Sequence, residues 1–315
     1  VSYLPIFSVA ILFILESQLL GDAVLVALLE QRYWNICRFL YSALKFLLFF
    51  FSLTLGYGLI GIIWSWSAVE GLLFLLYLVK VRSLVFSCGV ESDEDGNLPF
   101  KRMLRYGGFY LFALLGGFFL DIAVDNYLIA YFIGTEAVGQ YSFAAGISNR
   151  VLNWTPAVLL VSVLIPANIR QYAKNKEKGE LIYTFQLYSK LILFTGLPMF
   201  VGVILLADKI ILYVFKPEYT SILPIFVVCL VFSLIRMTAY ALDPIIRTLE
   251  RTEIYALSLI FVAYNILMDI LLIPRYGILG AALATGSSRF FTFLFQLVMT
   301  KRYIAITYPW GSIGR

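Results

Sequence analysis

The chain has 315 residues, 61% of them apolar and 14% charged, against roughly 45–50% and about 25% in ordinary soluble domains. With a mean hydropathy of +0.89, too little polar surface remains to cover a water-soluble globule, which excludes a soluble enzyme. There is no histidine, and Cys37, Cys88 and Cys229 lie far apart, which removes histidine-based catalysis, zinc sites and a disulfide framework.

The apolar residues fall in blocks of about 20 or more, long enough for helices to cross a ~30 Å hydrocarbon core. The pattern predicts an all-α polytopic membrane protein with nine spans, near 4–28, 36–57, 59–79, 106–133, 138–168, 183–206, 222–245, 254–273 and 278–300. Polar or turn-forming runs separate them, such as Glu30-Gln31-Arg32, Tyr57-Gly58, Gly134-Thr135-Glu136, Lys174 to Lys178, Lys216-Pro217-Glu218 and Pro274 to Gly277. Pro156 and Pro198 fall inside spans, where they are expected to kink the helix rather than end it.

Alternate loops lie on opposite sides. Tallied that way, sixteen lysines and arginines fall on the side of the C-terminus and three (Lys209, Lys216, Arg275) on the other. The net charge of +5 thus matters through its distribution, which places the C-terminus in the cytoplasm.

An internal repeat is also visible. Leu29-Glu30-Gln31-Arg32 aligns with Leu249-Glu250-Arg251-Thr252, and Tyr57-Gly58-Leu59-Ile60-Gly61 with Tyr276-Gly277-Ile278-Leu279-Gly280. The first three spans then correspond to the last three. A shift of six spans is even, so the halves are expected to be two parallel-repeat helix bundles about an axis along the membrane normal. A complete first half would need three more spans before Val1, so the nine spans are expected to belong to a twelve-span parent. Residues 1–79 would be the last three spans of the N-terminal lobe and 80–105 a cytoplasmic linker. Residues 106–300 would form a six-span C-terminal lobe and 301–315 a cytoplasmic tail.

Several motifs resemble the polysaccharide transporter, or oligosaccharide flippase, family of the multidrug/oligosaccharidyl-lipid/polysaccharide exporter superfamily. They are Asp125 to Ile129 with Gly134 and Val138-Gly139-Gln140-Tyr141, then Ile165-Pro166, Leu197-Pro198 and Phe215 to Tyr219. Asn265 with the run Ile273 to Thr285 completes the set. Asn126 and Asp269 depart from the family pattern. The resemblance spans essentially the whole chain. It implies a flippase that carries a polyprenyl-diphosphate-linked oligosaccharide across a bacterial or archaeal inner membrane for O-antigen, capsule or exopolysaccharide biosynthesis. Implied partners are membrane lipid, a proton or sodium ion, and the polymerase and chain-length proteins of the same pathway. No cofactor and no nucleic acid is expected.

Charges inside spans point to a site independently. A central arginine costs roughly 2.5–3.5 kcal/mol on insertion scales, so such residues should face a wet cavity or partners. In the seventh span Ser233, Arg236, Tyr240, Asp243 and Arg247 follow steps of three and four, forming one stripe. Thr285, Arg289, Thr292 and Gln296 do so in the ninth span, Gly146, Arg150, Asn153 and Ala157 in the fifth, and Ser258, Asn265 and Asp269 in the eighth. Guanidinium suits a diphosphate because its planar fork makes paired hydrogen bonds to oxyanions. Arg150, Arg236 and Arg289 are therefore the candidate diphosphate ligands, unless each pairs with a buried carboxylate and only locks helices. Asn153, Trp154, Ser233, Tyr240, Thr292 and Gln296 would line the cavity for sugars. Lys45 and Lys190 are expected to snorkel or pair.

At the repeat offsets Glu16 falls opposite Arg236 and Glu70 opposite Arg289, which suggests acid–base pairs that close the empty cavity. Asp121 and Asp125 sit four apart on one face, and two carboxylates so close in a low dielectric cannot both ionise cheaply. They and Asp269 are candidates for ion coupling or gating, with solvation by the cavity as the alternative. Asp93-Glu94-Asp95 has the form of a glycosyltransferase metal motif but lies in a short linker, and Asn153-Trp154-Thr155 is a mid-membrane sequon. Two rival functions remain: a cation-coupled multidrug exporter, favoured by an acidic cavity, and a membrane polymerase or glycosyltransferase, favoured by a large outer loop.

Overall fold

The computed structural model describes residues 13, 17, 19–26, 28, 30–87, 100–118, 122–214 and 217–306. Among these there are helices and turns and no strand. The chain divides into two compact units between Asn97 and Leu98, inside the expected linker.

In the first unit, α1 (Gln31–Thr54) and α2 (Gly58–Ser87) form an antiparallel hairpin, with a π-helical turn, Leu19–Leu25, against it. The reversal uses Gly56 and Gly58, both at positive φ (80° and 55°), which glycine reaches without a Cβ penalty. The Ser52 and Ser65 hydroxyls hydrogen bond across the hairpin at 2.8 Å. Leu25, Cys37, Leu73 and Tyr77 make its core.

The second unit runs through α3 (Phe100–Phe118), α4 (Ile122–Phe132), α5 (Thr135–Trp154), α6 (Val161–Asn175), α7 (Lys178–Leu205), α8 (Leu223–Ala239), α9 (Asp243–Thr248), α10 (Ile260–Tyr276) and α11 (Ile278–Lys301). Its apolar core, including Ile129, Leu152, Phe185, Phe200, Phe226 and Leu230, holds α8 against α5, α7 and α11.

Among the described residues, six stretches are long and apolar enough to cross a membrane: Gln31–Thr54, Gly58–Leu84, Lys178–Leu205, Thr220–Thr248, Glu253–Tyr276 and Ile278–Lys301. They coincide with the second, third and sixth to ninth of the expected spans, and the protein is a multi-pass membrane protein. Most of the first span and the centre of the fourth lie outside the described residues. The fifth is divided: Thr155 is extended (φ −62°, ψ 119°) and Pro156 starts a separate short helix, Pro156–Leu159. Pro156 therefore ends α5 rather than kinking it, because the ring crowds the preceding residue out of the helical region. Pro198, by contrast, sits inside a continuous α7.

Helix also runs into the expected linker from both sides, since α2 continues to Ser87 and α3 begins at Phe100. Residues 88–99, with Asp93-Glu94-Asp95, lie outside the described residues. Where α3 begins, charged contacts gather: the ion pairs Arg102 Nε to Glu250 Oε2 at 2.6 Å and Arg251 to Glu253 at 3.1 Å, and the Arg251 guanidinium over the Tyr303 ring at 4.3 Å.

Candidate functional site

The stripes expected on the seventh and ninth spans face each other. Arg236 on α8, Tyr240 in the turn that follows, Asp243 and Arg247 on α9, and Arg289, Thr292 and Gln296 on α11 line one cavity of about 670 Å³, with Leu114, Gly117, Tyr255 and Phe293 among its other walls. Steps of three and four put successive residues on one helix face, and the stripe survives the turn at Tyr240–Leu242 because the helix resumes in phase.

Arg236 Nη1 donates to Asn149 Oδ1 at 3.4 Å, and the guanidinium groups of Arg236 and Arg289 act on each other with like charge. An anion placed between two such cations relieves that repulsion. At the other end of the cavity Arg247 Nε pairs with Asp243 Oδ1 at 3.0 Å. The Arg247 guanidinium lies 4.8 Å over the Tyr110 ring, and Tyr255 donates its hydroxyl to the same Asp243 oxygen. The Thr292 hydroxyl is buried with no hydrogen-bond partner among the described residues, and Gln296 donates to the Ser258 hydroxyl at 3.4 Å.

A second polar cluster adjoins Arg289. Asp125 on α4, and Asn265 and Asp269 on α10, are each 0% exposed. Tyr141 donates to Asp125 Oδ2, as does Thr285 of α11 at 2.9 Å. Asn265 Nδ2 donates to Asp269 Oδ2 at 3.2 Å, and the carboxyls of Asp269 and Asp125 act on each other with like charge. One oxygen each of Asp125, Asn265 and Asp269 is buried without a partner among the described residues. Buried polar atoms are rarely left so, and carboxylate and amide oxygens are the donors a small hard cation takes. Asp125 faces Asp269 of another helix here, while Asp121 lies outside the described residues.

The other expected residues lie elsewhere. Ser233 is buried and lines a narrow space of about 20 Å³ with Tyr141, Asn149, Thr285 and Arg289. Arg150, Asn153 and Trp154 are exposed on α5, and none of them lines the large cavity. The inward face of α5 is instead Tyr141, Ala144, Ala145, Ser148 and Leu152, one residue out of phase with the expected stripe. Glu70 is buried in the first unit, accepting from Trp66 Nε1 at 3.0 Å and from the Tyr41 hydroxyl. Glu16 lies outside the described residues. Asn149, Tyr141 and Tyr255 were not singled out as cavity or cluster residues. For Tyr141 a signal existed, because the turn at Gly134 folds 125–126 back onto 141–142, as the Ser142 to Asn126 hydrogen bond of 2.9 Å shows.

A family described as polysaccharide biosynthesis protein matches residues 11–224, more than half of the chain. A probable low-salt glycan biosynthesis flippase of the archaeon Haloferax volcanii is 22% identical over 253 residues, covering 78% of this chain and 52% of that protein. The probable flippase AglR of the same archaeon is 25% identical, covering 51% of this chain and 34% of that protein. The teichuronic acid biosynthesis protein TuaB of Bacillus subtilis is 30% identical, covering 44% and 27%. The chain thus spans about half or less of the length of these curated relatives. On the extent of the family match, the chain belongs to the polysaccharide biosynthesis protein family.

Proposed function

We propose that the protein is a flippase for a lipid-diphosphate-linked oligosaccharide, working by alternating access between two related lobes in a cell membrane with its C-terminus in the cytoplasm. The observation that carries this reading is the pair of guanidinium groups, Arg236 and Arg289, facing one cavity whose remaining polar wall is the mutually paired Arg247 and Asp243 with hydroxyl, amide and aromatic groups. The arginines grip the diphosphate, while Tyr240, Thr292, Gln296 and the Asp243–Tyr255 pair offer stacking surface and hydrogen-bond partners to sugar rings. Arg150 remains a proposed ligand only as an exposed cation outside this cavity. The relatives named as flippases support the assignment. A multidrug exporter of cationic compounds fits less well, because two arginines would repel its cargo.

Transport is proposed to be coupled to a sodium ion held by Asp125, Asn265, Asp269 and Thr285. A proton needs one carboxyl, whereas several oxygen-bearing side chains around one point suit a hard cation better. Thr285 and Arg289 lie four apart on α11, so the ion and the diphosphate would act on the same helix.

The test is transport of a fluorescent prenyl-diphosphate-linked sugar in proteoliposomes with imposed sodium and proton gradients. Arg236→Gln and Arg289→Gln are expected to abolish movement of the probe, and Asp269→Asn to remove the dependence on sodium. Full activity in the double arginine variant would refute the diphosphate assignment.

A further inference from the structure

Lys45 and Glu70 are charged residues inside the spans of the first unit that play no part in the cavity above. Lys45 is the fifteenth residue of α1. At ~1.5 Å per residue it lies about 14 Å from the nearer helix end, beyond the reach of a four-carbon stem, so it does not snorkel. Its ammonium sits among three rings instead, 4.7 Å from the centroid of Trp66, 5.2 Å from Tyr41 and 5.7 Å from Phe49. It donates to the Tyr41 oxygen at 2.9 Å. Tyr41 in turn donates to the Glu70 carboxylate, which also receives the Trp66 indole N–H. Glu70 is 5% exposed, and a carboxylate so buried requires a compensating charge.

The positions have counterparts in the α10–α11 hairpin. Both hairpins reverse at a positive-φ glycine, Gly58 (55°) and Gly277 (62°). In both, a glycine three residues later lets the second helix close on the first: a Cβ on Gly61 would meet Ser52, and one on Gly280 would meet Leu272. These contacts fix the register, which agrees with the sequence repeat. In it Lys45, Phe49, Trp66 and Glu70 correspond to Asn265, Asp269, Thr285 and Arg289. Glu70 thus stands where the second hairpin carries Arg289, and Lys45 where it carries the amide Asn265, one turn from Asp269.

We propose that Lys45 is a tethered counter-cation. Its ammonium fills, as part of the chain, an aromatic-walled cation site beside Glu70, at the place where the second hairpin contributes to a site open to an ion from solution. The contrast between the hairpins rests on the sodium-site reading of Asp125, Asn265, Asp269 and Thr285. The tethered cation itself does not. Ion exchange is thereby confined to the second unit, and the emptied cage would take a small primary alkylammonium ion.

The test is chemical rescue. Purified Lys45→Ala is expected to melt several degrees below the unmodified protein, with butylammonium chloride at millimolar concentration restoring most of the loss. Butanol at the same concentration should do nothing. Lys45→Ala combined with Glu70→Gln is expected to lose the butylammonium response, because the carboxylate that needs a cation is gone. Equal effects of butylammonium and butanol, or a Lys45→Met variant as stable as the unmodified protein, would overturn the tethered cation. Binding of radioactive sodium separates the two readings. Asp269→Asn is expected to lose it and rescued Lys45→Ala to keep it. Sodium retained by Asp269→Asn overturns the ion-site reading and the contrast, whereas sodium lost from rescued Lys45→Ala overturns the confinement of ion exchange to the second unit.

Discussion

Arg236 and Arg289 carry charge of one sign into one cavity, and each is most useful when an oxyanion lies between them. A hydrogen bond to a charged group is worth about 1.5–3 kcal/mol, or roughly 10- to 150-fold in affinity. Arg289→Gln is expected to weaken binding of a short prenyl diphosphate within that range, measured by titration calorimetry. Arg289→Lys should recover only part, since an ammonium cannot present the paired donors of the guanidinium fork. Asn149→Ala should cost less, because Asn149 only orients Arg236 through a 3.4 Å contact. Most of these side chains were legible in the sequence, since an arginine in an apolar run announces itself by its desolvation cost. Asn149 was not: it precedes Arg150, and a periodicity anchored on the arginine selects the wrong face when that residue is the exposed one. The partnership of Asp125 with Asp269 was hidden for a different reason, as 144 positions separate them in the sequence and only packing brings α4 and α10 together.

At the scale of elements, the turn residues announced two of the hairpins, because each reverses through a glycine at positive φ, Gly58 and Gly277, and leaves that mark in the sequence. What helical periodicity could not reveal was the end of α5, which depends on the steric demand of Pro156 on Thr155. The close approach of α11 to α10 gives a sharp contrast between two glycines. A Cβ on Gly280 would run into the backbone around Leu272, which no rotamer change can relieve, whereas one on Gly139 in α5 meets nothing within 4 Å. Gly280→Ala is expected to lower the melting temperature in detergent by an amount equivalent to about 1–3 kcal/mol. Gly139→Ala should leave it unchanged or raise it slightly, since alanine is the better helix former by up to about 1 kcal/mol.

For the whole molecule, composition alone separated a membrane protein from a soluble one, and the distribution of lysine and arginine gives each loop an expected side. Two engineered cysteines in a background freed of Cys37, Cys88 and Cys229 test that orientation with an impermeant maleimide. One at Asn175, the last residue of α6, is expected to react only from the cytoplasmic face, and one at Glu136, after the turn at Gly134, only from outside; both positions are exposed. The reverse pattern would invert the assigned topology.

The tight reversal at Gly277 also bears on how the protein is made. Of the six apolar stretches the one holding Arg289 is the least apolar, and the one before it is among the most. Left alone beside the translocon, the α11 segment would be the slowest to leave for lipid, because its arginine and hydroxyl groups have nothing to solvate them. With only Gly277 between the two helices, α10 emerges from the ribosome already carrying the polar face that α11 requires. The pair can therefore partition as one body, so that shielding of the charge begins during synthesis rather than after assembly is complete.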